Sequence, residues 1–129
     1  MNRVVLFLLT FLLCMPGCRR PSAEREVRTA LDAVARAVDP AYAFAVDACL
    51  ARQNLVAEAA ESKEIPSLEA DRQIASIRVK CDRTRNTFEL IRRAHEEAAE
   101  LIEAGKLQEA QARLDAIVEA WRSLRGDEP

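Results

Sequence analysis

The sequence predicts an all-α protein: an elongated antiparallel helical hairpin or three-helix bundle with coiled-coil-like packing, clamped by a disulfide. Three observations predict it. Half of the 129 residues are apolar, mostly Ala, Leu, Val and Ile, with six aromatics and only three Gly, whereas a sheet sandwich needs turn residues every ~8–12 positions. Apolar residues recur at alternating steps of three and four over most of the chain, the seam spacing of packed helices. Two cysteines fall on those seams at positions that face one another. The length suits one domain, and a chain half apolar and 31% charged lies outside the disordered range. A net charge of −2 leaves no basic surface, so no nucleic-acid partner is expected.

The elements justify themselves in order. Met1-Asn2-Arg3 is a short positive stretch, and Val4 to Leu13 is an apolar run broken only by Thr10. That run has the length of a secretory hydrophobic region and falls well short of the ~20 residues a membrane-spanning helix needs. Met15-Pro16-Gly17-Cys18 follows, then Arg19-Arg20-Pro21. The segment resembles a bacterial lipoprotein signal peptide. Gly17 and Cys18 match the lipobox, while Met15 and Pro16 stand where Leu and Ala or Ser are usual. The resemblance implies cleavage after Gly17, with Cys18 becoming the fatty-acylated first residue; several acyl chains together give a stable anchor. It also implies an envelope location facing the periplasm. Because Arg19, rather than the family's inner-membrane retention Asp, follows the cysteine, the outer membrane is favoured over the inner. The residues alone leave two alternatives open, an ordinary secretory signal cut elsewhere and an uncleaved anchor.

Residues 18–22 read as a lipidated tether, and Ser22 as the cap of a helix over about 23–38, with Glu24 and Glu26 suiting its positive end. Val27, Leu31, Val34 and Val38 form its stripe. Asp39-Pro40 is either a kink or the start of a second helix over about 40–62, whose stripe is Tyr42, Val46, Cys49, Gln53, Val56 and Ala60. Glu61 to Ser67 breaks the pattern, with Pro66 ending one helix and Ser67 capping the next, over about 67–104. In that long helix Ile74, Ile77, Cys81, Thr84, Phe88, Ile91, His95, Ala98 and Ile102 make one seam. Arg85/Glu89, Glu89/Arg93 and Arg92/Glu96 are spaced as pairs on its solvated faces, each contributing a few tenths of a kcal/mol. Gly105 stops it. A last helix, about 107–124, carries Leu107, Ala110, Leu114, Ile117, Trp121 and Leu124, and 126–129 form a tail. Ala104 to Ala110 with Leu114 and Ile117 resembles the middle of one tetratricopeptide repeat; with no second copy visible, the stretch reads as a tight αα-hairpin.

If the central helices fold back about residue 65, facing positions have numbers summing to about 130. Cys49 meets Cys81, Tyr42 meets Phe88, Val46 meets Thr84, and the midpoint falls on Ile65-Pro66. In an oxidising compartment a disulfide between Cys49 and Cys81 is then expected; free thiols, an intermolecular bridge and a metal pair are the alternatives. A second reversal near 105–106 brings Ala98 opposite Leu114, His95 near Ile117, Ile91 near Trp121 and Phe88 near Leu124.

Little in the chain suggests chemistry. The single His, His95, occupies a seam position that suits a hydrogen-bonded packing residue, and Trp121 and Tyr42 suit core anchors. No Gly-rich loop, nucleophile motif or acidic metal loop occurs, so no catalytic residue, metal, cofactor or small-molecule substrate is expected. The expected role is non-enzymatic, a lipid-anchored structural or adaptor protein bound to the membrane through Cys18 and to an unidentified protein partner. Two rival expectations are a small phage- or plasmid-encoded accessory lipoprotein of lysis or conjugative exclusion, and a tetratricopeptide-like peptide-binding chaperone.

Overall fold

The computed structural model describes residues 22–126; the signal segment, Cys18 and residues 127–129 lie outside the described residues. Three helices, and among the described residues no strand, make the expected helical bundle: α1 Ala23–Glu61, α2 Ser67–Glu103 and α3 Leu107–Gly126. At ~1.5 Å per residue α1 and α2 are each more than 50 Å long and α3 about half that.

Helix α1 starts as its sequence requires. The Ser22 hydroxyl accepts a hydrogen bond from the Arg25 amide at 3.3 Å, and Glu24 and Glu26 occupy the first turn. The helix then continues through Pro40, so the two expected segments, 23–38 and 40–62, are one element. Pro40 has no N–H to give the Arg36 carbonyl, and an interior proline costs ~3 kcal/mol. Arg36, Ala37, Asp39 and Pro40 are all exposed, so water can reach the orphaned carbonyl. On the opposite side Val38 is buried, and its neighbour Asp39 is bound to Arg92 of α2 at 2.8 Å. Tertiary packing across the proline holds the helix together where local preference would divide it.

Both reversals are the same device. At the end of α1 the Lys63 amide donates to the Ala60 carbonyl and the Glu64 amide to the Ala59 carbonyl, with Lys63 at φ 62°. At the end of α2 the Gly105 amide donates to Ile102 and the Lys106 amide to Leu101, with Gly105 at φ 73°. Each is a Schellman stop, in which a left-handed residue lets the last carbonyls find donors. The first corrects the reading of 61–67: α1 ends at Glu61 through Lys63, before Pro66 can act. Ser67 is the first helical residue and not the cap; the Pro66 carbonyl accepts from the amides of Glu69 and Ala70, and no side chain caps the helix.

The core occupies one end. Val27, Leu31 and Val38 of α1, Phe88, Ile91, Ala98 and Ile102 of α2, and Ala110, Leu114 and Ile117 of α3 form a single buried cluster. In the other half α1 and α2 run on alone as a two-helix arm, where Ala70 is the one buried apolar residue. The predicted seam of α2 is buried or half-buried at every position from Ile74 to Ile102. On α1 the exception is Val46, which is exposed beside the cysteines.

Candidate functional site

The feature that gives the arm its identity is the link between Cys49 and Cys81, joined as a disulfide with their Cα atoms 6.1 Å apart. The register that brings them together is visible along the core side of the bond. Towards the core, Tyr42 and Phe88 meet edge-to-face at 5.5 Å, and Arg92 reaches Asp39. Farther along, Arg28 bridges Glu103 at 2.9 Å and Glu24 of its own helix at 3.0 Å. These two bonds, first that to Glu103, raise the Arg28 pKa above its ordinary value. The facing pairs sum to 130 or 131, the register expected from the turn and the cysteines.

At the root of the arm an aromatic–cation stack closes the core. Phe88 lies between Tyr42 and Trp121, whose ring is 6.1 Å away and nearly perpendicular, and the Arg92 guanidinium sits 4.7 Å above the Tyr42 ring. Two expectations are corrected here. Trp121 packs its ring on Phe88, one turn before the expected Ile91, and Arg113 pairs with Glu97 at 2.9 Å; both centre the reversal on Gly105, inside the expected 105–106, with Lys106 completing the stop before α3 begins at Leu107. Arg92 bonds across to Asp39 and stacks on Tyr42 instead of bonding Glu96, and Arg85 takes Asp82 at 3.0 Å instead of Glu89. Helical spacing shows which neighbours are in reach but not the partners on another helix.

His95 is half-buried, and its Nε2 donates to the Leu31 carbonyl at 3.1 Å. A backbone carbonyl only accepts, so this bond fixes the tautomer and pins α2 to α1. The residue acts on α1. Beside the disulfide lies an open groove of about 220 Å³ whose floor includes Tyr42, Ala45, Val46, Cys49 and Leu50 and whose rim is Asp82 and Arg85. Sequence periodicity placed Val46 in the seam and could not register this groove, since a two-helix arm buries a narrower stripe than a three-helix bundle.

Among the described residues no three His, Cys, Asp or Glu side chains gather as a metal site, and no helix is long and apolar enough to cross a membrane. Cys18 lies outside the described residues. Compared with protein-family models, curated proteins and solved structures, the chain matches none.

Proposed function

We propose that this protein is a non-enzymatic, lipid-anchored helical protein of the bacterial envelope, held in the membrane through Cys18 and facing the periplasm, with a structural or adaptor role exerted through its two-helix arm. The observation that carries the reading is the Cys49–Cys81 disulfide in the thin half of the molecule. Where the three-helix core ends, the arm is held by a bond that oxidising compartments favour, and the chain opens with a segment, Met1 to Cys18, suited to exporting and acylating it.

The division of labour follows. The N-terminus of α1 lies at the thick end, beside Glu103, so a tether of a few residues keeps the core near the bilayer while the hairpin tip at 62–66 lies more than 50 Å away along the helices. Such an arm holds a surface at a fixed distance from the anchor. Replacing Cys18→Ser in cells and fractionating the envelope tests the anchor: the variant is released from membranes in salt-washed fractions, and a variant as firmly membrane-bound as the parent contradicts the proposal.

A further inference from the structure

Five of the eight large apolar side chains left exposed, Val46, Leu50 and Leu55 of α1 and Leu68 and Val79 of α2, lie in the arm. Leu50 is 54% exposed and Leu55 65%. The Phe88–Trp121 contact sets the level at which α3 lies along α2, so Gly126, the end of α3, reaches no farther than about Arg83. Beyond that level no described residue outside α1 and α2 covers the arm, and the groove at Val46 and Leu50 opens on its flank. Val46 and Leu50 share the flank on which the groove opens, an apolar strip with Asp82 and Arg85 beside it, and this flank is the one free to take a partner.

The charges on the same arm say what fits it. Around the tip, residues 58–72, Glu58, Glu61, Glu64, Glu69 and Asp71 outnumber Lys63 and Arg72, a net charge of −3. In the root half Arg52, Arg78, Lys80, Arg83 and Arg85 outnumber Asp47 and Asp82, a net charge of +3. All of these side chains are exposed. The arm is therefore a rod with equal and opposite ends, and the surface most complementary to it is the same rod reversed. Such a pairing is two-fold symmetric, each patch meeting its counterpart once in each direction.

We propose that a second copy of this chain docks antiparallel along the arm, tip against root, to complete a four-helix bundle. Leu50 lies within a turn of the arm's midpoint and sits next to the symmetry axis, while Glu61 and Asp71 of each tip come level with Arg85 and Arg83 of the other root. The Arg85–Asp82 pair is exposed on both sides, and exposed pairs of this kind exchange partners at little cost. The pairing needs no lipid and stands apart from the anchor. With both anchors in one leaflet, the symmetry axis runs along the membrane normal and the paired arms lie flat between them.

The test uses the full chain in its native cells, with a photo-crosslinking amino acid replacing Leu50. The expected adduct has twice the mass of the chain and maps near the arm midpoint, in the stretch 50–62 of the second copy. Reversing the root charges with R83E and R85E cuts its yield about tenfold or more, since facing like charges repel. Adding E61R and D71R to that variant restores it, which a variant that merely misfolds would not do. An adduct with another protein or with lipid, no adduct, an adduct mapping to the root of the second copy, or a yield indifferent to the charge reversals overturns the proposal.

Discussion

At the scale of single residues, the two Schellman stops form a natural comparison. Gly105 and Lys63 do the same work at nearly the same φ, but only glycine does it without crowding a Cβ against the preceding backbone. Nothing lies within 4 Å of the position a Cβ would take at Gly105, so a substitution there meets backbone strain and no packing clash. Gly105→Ala therefore lowers stability by about 1 kcal/mol, and Lys63→Gly raises it by up to about 1 kcal/mol, the relieved strain being offset in part by glycine's greater freedom in the unfolded chain. Urea denaturation of both variants checks the pair, and equal effects of one sign would contradict the shared geometry. The stop at Gly105 was legible because glycine announces a left-handed residue. The stop at Lys63 was not, because lysine carries no such signal and the nearby Pro66 drew the boundary to itself.

At the scale of elements, what could be read was whatever periodicity and register encode. The α2 seam, the hairpin turn and the Cys49–Cys81 pairing follow from one count of positions, because antiparallel helices joined by a short turn have no freedom to slide once the turn is fixed. The union of 23–38 with 40–62 escaped the same reading: proline is a local signal, and the contacts that override it, Val38 in the core and Asp39 on Arg92, come from another helix. Energetics divides α1 and α2 in the same way. Their core halves carry nearly all the buried side chains, while the arm halves depend on the disulfide. A crosslink spanning 32 positions stabilises by roughly 3.5–4 kcal/mol in the chain-entropy picture. Replacing Cys49 and Cys81 with Ala is expected to cost about that much. Hydrogen exchange in this variant should accelerate first between residues 46 and 84, with the amides around Ile91 and Ile117 still protected. Uniform loss of protection along α1 and α2 would show that the arm is no weaker than the core.

At the scale of the whole molecule, the protein is a lopsided rod with its stability at one end and its unpartnered surface at the other. That asymmetry was only half visible in the sequence: heptad seams mark where helices meet, but nothing in them says where α3 runs out and leaves two helices bare. The exposed apolar positions became evident once three dimensions had taken Val46 out of the seam and set it beside Leu50. The account of the protein rests on its being exported, acylated and oxidised, and each of these leaves a mark on its mass. The most direct test is the intact mass of the protein extracted from native membranes, measured with and without reductant. The account predicts a chain that begins at Cys18, carries added acyl mass on that residue, and gains one hydrogen for each of Cys49 and Cys81 on reduction. A full-length, unacylated chain whose mass is unchanged by reductant would contradict it.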